Sequence, residues 1–278
     1  MTSYYSALFF TAFLPITVML YGMAPRRFRW AVLLLASYGF FFALSGALIA
    51  FVALSTAVVY ACARMMGANL AEKNRQLATA SSGKREIREA CKRKNRRIVF
   101  AAVVANIGIL AVLKYSGFFG LSLASTLAAF GISIDLSIPS FALPIGISFY
   151  TLMAVSYVVD VYRERTKADK NLGHVALFLA FFPGIMEGPL SRYNDVAPSL
   201  IAGEPLNRKN LYAGTLRIMW GMAKKIIVAD RLNAFVKPVF DNYGSYDGGV
   251  IALAAILYTI QLYCDFSGTM DVALGMGR

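Results

Sequence analysis

Gln261, Tyr263, Asp265, Ser267 and Asp271 form the densest polar group attached to an apolar run in this 278-residue sequence. An ionisable side chain at the centre of a membrane span costs about 2.5–3.5 kcal/mol on insertion scales, so such residues mark cavities, pathways or reaction chambers. If one helix runs through them, Gln261, Asp265 and Gly268 share a face, whereas Gly268 also permits a break. Two readings stand: the group lines a cavity, or Asp265 caps a helix that ends at the interface. Glu187 and Arg192 flank Gly188-Pro189, and either pair to line a polar cavity or rest at the interface. Asp160 reads as a helix-end residue paired with Arg163.

His174 is the only histidine. Imidazole suits acyl and proton transfer because its ordinary pKa of about 6.5 lets it gain and lose a proton near neutrality. Here it adjoins a charged loop and is read as having no carboxylate or nucleophile near it in sequence, so it is expected to be an ordinary interfacial residue. Serine nucleophile elbows, Gly-rich phosphate loops and HExxH patterns are absent. Cys62, Cys91 and Cys264 are odd in number and far apart, which leaves no disulfide framework and no expected metal site.

These residues sit in a chain that is 58% hydrophobic and 15% charged, with a mean hydropathy of +0.58. That composition fits lipid as the solvent, and the 20 Phe and 15 Tyr exclude disorder over most of the length. The net charge of +13 is gathered between hydrophobic blocks, as the positive-inside rule places it, so no nucleic-acid partner is expected.

Residues 6–23 are long enough for a retained transmembrane helix, with Pro15 as a kink; basic residues before the apolar run, which a signal peptide would carry, are missing. Residues 30–63 carry no charge. As one helix they would measure about 50 Å against a hydrocarbon core of about 30 Å, so they are expected to fold as a hairpin turning at Ser45-Gly46. Residues 67–97 hold ten Lys or Arg against three acids and read as a basic cytoplasmic loop, two polar helical pieces broken at residues 81–83. A span begins at residues 98–113, and residues 115–134 read as an outer-face segment or a short re-entrant helix. Residues 141–159 form the next span. The apolar run 175–185 is interrupted by Pro183, Gly184, Gly188 and Pro189, as in a half-helix facing protein or a watery cavity. Residues 208–237 mix apolar groups with Arg217, Lys224, Lys225, Asp230 and Arg231, as expected of a segment lying in the interface with its cations at the headgroups. Residues 250–264 are the last apolar block.

Four runs carry a family resemblance: LPIGISFYTLMAVSYVVDVYR (143–163), FFPGIMEGPLSRY (181–193), WGMAKKIIVADRL (220–232) and YTIQLYCDFSGTMDVALGMGR (258–278). With the opening FLPITVMLYGMAPRRFRWAVLLLASYGFFF (13–42), they resemble the membrane-bound O-acyltransferase (MBOAT) family, nearest its branch of alginate O-acetyltransferases and related polysaccharide acetylation proteins. The resemblance implies an all-α, polytopic integral membrane fold around a tunnel, in the bacterial cytoplasmic (inner) membrane. Residues 1–278 would be a single, incomplete membrane domain. An acyl thioester, acyl-CoA or acyl carrier protein, would donate from the cytoplasmic side, with no bound cofactor. Membrane lipid, and on the outer side a polysaccharide or secreted acetylation proteins, would be the other partners.

The family's presumed catalytic histidine would fall beyond Arg278, and His174 does not match it, so this chain alone is expected to hold no catalytic residue and to be inactive. Pro183, Glu187, Gly188, Pro189, Arg192 and Tyr193 match a family loop near the cavity. Asp265, Ser267, Gly268 and Asp271 match its DFSG-type motif, and with Gln261 they are expected as tunnel or structural residues. Lys224 and Lys225 are expected either to attract the anionic donor at the cytoplasmic surface or to anchor the segment at the interface. The alternative functions are a non-catalytic acyl conduit or transporter, and a membrane scaffold for a secreted transferase.

Overall fold

Helix is the only regular structure among the described residues of the computed structural model, 6–80, 82–129, 146–185 and 188–278. The chain is an all-α membrane protein. Three helical stretches, Arg26–Thr79, Lys84–Tyr115 and Gly248–Met276, are long and apolar enough to cross a bilayer. The first is divided where expected. Helix α2 (Arg29–Ser45) ends at Gly46, whose φ of 54° and ψ of −130° suit a residue without a Cβ, and α3 (Ile49–Thr79) follows after one 3-10 turn.

α3 does not stop where its apolar run ends. It continues through the basic segment to Thr79, and α4 (Lys84–Ala129) starts just after Gly83, which sits at φ 75°. Residues 67–97 therefore form a basic helical hairpin, the two polar pieces anticipated. Of residues 115–134, expected as an outer-face segment or a short re-entrant helix, those as far as 129 continue α4 without a break, and 130–134 lie outside the described residues. Nothing in that stretch is a proline, so the backbone hydrogen bonds have no reason to end there. The first residues of the span expected at 141–159 lie outside the described residues; α5 covers Ile147–Tyr162.

The chain divides into two compact units. One comprises residues 25–182 and 190–203. Its core lies between α3, α4, α5 and α6 (Leu172–Ala180), where Val52, Val59, Ala63 and Met66 form a helical stripe on α3 and Tyr150, Tyr157, Val158 and Val161 face inward from α5. In lipid such helices associate by close contact and internal hydrogen bonds. Thr56 Oγ1 and Tyr150 Oη lie 2.6 Å apart, Tyr150 donates to the Val52 carbonyl at 3.0 Å, and Ser55 donates to Asn106 of α4. Helix α8 (Tyr193–Ala202) completes this unit, and its carboxyl end is held to the start of α2 by Arg26 Nε on the Ala202 carbonyl and Arg29 on the Gly203 carbonyl.

The other unit comprises residues 1–24, 183–189 and 204–278. The helix starts at Ala7, passes through a π-helical turn (Phe9–Phe13) and continues as α1 (Leu14–Met23), with Pro15, which has no N–H to donate to the preceding turn, just after the π-helical turn. A single turn, α7 (Phe182–Ile185), starts at the last residue of the former unit and ends in this one. Then α9 (Arg208–Ala223), a π-helical stretch (Lys224–Ala229) and α10 (Asp230–Asp241) run on as one helical path that packs against α11 (Gly248–Met276).

Candidate functional site

Helix α11 passes unbroken through Gly268, so this glycine does not end a helix; it lets two backbones meet. A Cβ on Gly268 would lie 2.7 Å from the Gly221 carbonyl oxygen, and one on Gly221 would lie 2.5 Å from the Gly268 carbonyl oxygen. Seven residues further along each helix, Gly214 and Gly275 repeat the arrangement at 2.6 and 2.7 Å. Two helical turns separate the contacts, so α9 and α11 run antiparallel along a seam of small residues, the device that brings membrane helices close.

The polar residues flank this seam. Arg217 Nε donates to Asp271 Oδ1 at 3.0 Å, and Lys224 Nζ reaches Asp271 Oδ2 at 2.6 Å and Ser267 Oγ at 2.9 Å. Lys225 pairs with Asp265 and lies 3.8 Å from Asp230. Asp271 is only 15% exposed and holds two cations, so its charge is neutralised by direct, charge-assisted bonds. Ser267 receives a hydrogen bond from the Lys224 ammonium, and among the described residues no base is bonded to its hydroxyl. Gln261 Oε1 is buried without a hydrogen-bond partner among the described residues, and Tyr263 is exposed.

The cations of residues 208–237 were expected at lipid headgroups. Arg217, Lys224 and Lys225 have carboxylate partners on α11, where the glycine seam brings segments about fifty residues apart into contact. Asp160 is also partnered differently than expected: Arg165, at 3.8 Å, faces it in place of Arg163, since the chain turns back after α5 with the Arg165 amide on the Asp160 carbonyl.

The described loop residues of 183–193 fall in both units. Pro183, Gly188 and Pro189 belong to the unit of α9 and α11, whereas Arg192 and Tyr193 belong to the other. Glu187 lies outside the described residues. Gly188 is required where it stands, since a Cβ there would meet the Gly184 Cα at 2.5 Å. Arg192 precedes α8 in an extended conformation at its amino end.

Tyr193 belongs to a cluster the sequence reading missed. His174 was expected to have no carboxylate partner, yet its Nδ1 lies 3.2 Å from Asp169 Oδ2. Asp169 also accepts from Tyr193 Oη at 2.5 Å and from the Asn171 amide at 2.7 Å, while its own amide donates to Tyr157 Oη at 3.0 Å. Trp30 meets the imidazole edge-on at 5.0 Å between centroids, an approach that Gly173 makes possible. Burial works against the charged carboxylate, but the bonds from Tyr193 and Asn171 and the neighbouring His174 outweigh it and hold Asp169 below the ordinary carboxylate range. Burial, then the bond to Asp169, pushes the Tyr193 phenol up. The available signal was the five-residue spacing of Asp169 and His174 across the start of α6, where Asn171 caps the Gly173 amide. An aspartate that orients an imidazole is half of an acid–base device; no nucleophilic hydroxyl is bonded to the histidine among the described residues.

Comparison with known proteins bears out the expected resemblance. The chain is 33% identical over 98% of its length to probable alginate O-acetylase AlgI of Pseudomonas aeruginosa, and 32% identical over 98% to the protein of that name in Azotobacter vinelandii. It is 28% identical over 63% of its length to a peptidoglycan O-acetyltransferase of Helicobacter pylori. These matches cover 48%, 50% and 37% of the respective relatives, so the chain spans about half the length of the alginate O-acetylases it matches. No family model matches the chain.

Proposed function

We propose that this chain, homologous along nearly its whole length to polysaccharide O-acetylases, is part of an O-acyltransferase that passes acetyl groups toward an exopolysaccharide or cell-wall glycan. The observation that carries the proposal is the 33% identity maintained over 273 residues to a protein named for alginate O-acetylation. The residues of the glycine seam and its ion pairs, Asp265, Ser267, Gly268 and Asp271 against Arg217, Lys224 and Lys225, hold the chamber's wall in this reading. They fix geometry, and the reacting base lies elsewhere.

The protein would be a multi-pass component of the bacterial cytoplasmic membrane, with its basic hairpin inside. A cytoplasmic thioester, acyl-CoA or an acyl carrier protein, would supply the acetyl group, and the glycan or a secreted acetylation protein would accept it outside. Transfer moves the acyl carbon from sulfur to a hydroxyl oxygen: the C–O bond forms, the C–S bond breaks, and the hydroxyl proton leaves with the thiol. The described residues provide no base bonded to an acceptor, so residues 1–278 alone are expected to be inactive. Membranes containing the whole protein, supplied with labelled acetyl thioester and glycan, should release labelled polymer, and membranes containing residues 1–278 should not. Labelling by residues 1–278 alone would overturn the assignment of the base. No labelling by the whole protein, with its secreted partners present, would overturn the transferase reading.

A further inference from the structure

The basic hairpin carries a cleft lined by none of the residues of the glycine seam or the Asp169 cluster. It has a volume of about 720 Å³ and lies where the polar ends of α3 and α4 meet the end of α5. Leu70, Lys73, Asn74 and Leu77 face it from α3, and Arg88, Lys92 and Asn95 from α4, each set at helical spacing along one face. Tyr162 and Arg163 close it from α5.

Four cations and one carboxylate therefore meet here, and the carboxylate is spoken for. Glu164, held at φ 58° by the turn that ends α5, pairs with Lys73 at 2.6 Å, and Lys73 is only 11% exposed. That leaves Arg88, Lys92 and Arg163 exposed and without an ion-pair partner among the described residues. The wall between them is apolar, from Leu70, Leu77 and Tyr162. Depth adds a further constraint. On α4, Asn95, Lys92 and Arg88 stand three, six and ten residues before Ile98, where the apolar run starts, which is about 4.5, 9 and 15 Å along a helix axis, and Arg163 directly follows the last residue of α5. The headgroup layer extends about 5–7 Å beyond the hydrocarbon on each side, so Lys92 and Arg88 reach it by extending their long side chains toward it.

The geometry points to a binding site for the phosphate of an anionic phospholipid headgroup, with Arg88, Lys92 and Arg163 on the phosphate oxygens and the apolar wall against the glycerol and first methylenes. Basic pockets between membrane helices on the cytoplasmic side hold such headgroups, and guanidinium groups match phosphate oxygens two at a time. Inorganic phosphate would gain nothing from the apolar wall, so the lipid is the source the cleft favours over it.

The test uses the purified chain in neutral detergent, titrated with phosphatidylglycerol or phosphatidylcholine and read by native mass spectrometry. Phosphatidylglycerol should bind at least tenfold more tightly than phosphatidylcholine. The triple variant Arg88→Gln, Lys92→Gln, Arg163→Gln should lose that preference. A control variant, Arg93→Gln, Lys94→Gln, Arg97→Gln, removes equal charge from residues of α4 that do not line the cleft and should keep the preference within about twofold, because in neutral detergent there is no charged membrane surface for them to attract. All six residues are exposed, and circular dichroism confirms that each variant is folded. Equal loss in both variants, or no preference in the parent, would overturn the site. Displacement of the lipid by millimolar inorganic phosphate would overturn its assignment to lipid in favour of a soluble anion.

Discussion

Asp271 bridges two cations, so its removal leaves Arg217 and Lys224 facing each other without a counter-charge. Breaking a fully buried pair costs about 3–5 kcal/mol, and the partial exposure of these groups lowers the expectation for Asp271→Ala to about 1–3 kcal/mol. Lys224→Met combined with Asp271→Leu should recover part of that loss, since an apolar pair of similar volume is tolerated where a lone charge is not. Thermal unfolding in detergent reads both, and a double variant less stable than Asp271→Ala would contradict the pairing. At Asp169 the sign is that of a carboxylate held below its ordinary range: the stabilisation is full above the unfolded value, about 3.9, and is lost as pH falls through the lower folded value. Tyr193→Phe removes the largest favourable bond, so the acid limit of the Asp169 loop should move to higher pH. Amide protection at residues 169–174 followed from pH 6 to pH 2 checks it, and an unmoved midpoint would count against the cluster.

Among the elements, the seam of α9 and α11 makes the sharpest demand on sequence. Gly268→Ala or Gly221→Ala drives a methyl group onto a backbone oxygen at 2.7 or 2.5 Å and should cost at least about 1–3 kcal/mol, because neither helix can yield without losing its ion pairs. Gly39→Ala in α2 meets nothing within 4 Å and should be neutral or stabilising by up to about 1 kcal/mol. Equal effects at Gly39 and Gly268, measured by unfolding, would contradict the seam. The turn at Gly46 was legible because an uncharged stretch too long for one crossing must turn, and the break before Lys84 because Ser81-Ser82-Gly83 interrupts the basic segment. The pairing of Lys224 and Lys225 was not legible, since local pattern shows a basic amphipathic helix and cannot show that Asp265 and Asp271, forty and forty-seven positions away, face it. The repeated seven-residue glycine spacing, 214 to 221 and 268 to 275, was the signal available. The Asp169–His174 bond went unread for another reason: five positions apart is outside the helical i, i+4 rule, and only the Asn171 cap folds one back on the other.

For the molecule as a whole, composition identifies the solvent, and the motif-bearing runs that resemble polysaccharide O-acetylases carry both the expectation of an all-α fold and the relationship. Acetyl transfer is the claim on which the rest depends. The direct measurement is the O-acetyl content of the exopolysaccharide and peptidoglycan from the source bacterium with the gene deleted, restored, or restored with Asp271→Ala, alongside the amount of protein in the membrane. The account predicts that deletion removes most O-acetyl groups from one of these polymers, that the wild-type gene returns them, and that Asp271→Ala returns fewer in proportion to the folded protein lost or misaligned. Unchanged O-acetylation of both polymers after deletion would contradict it.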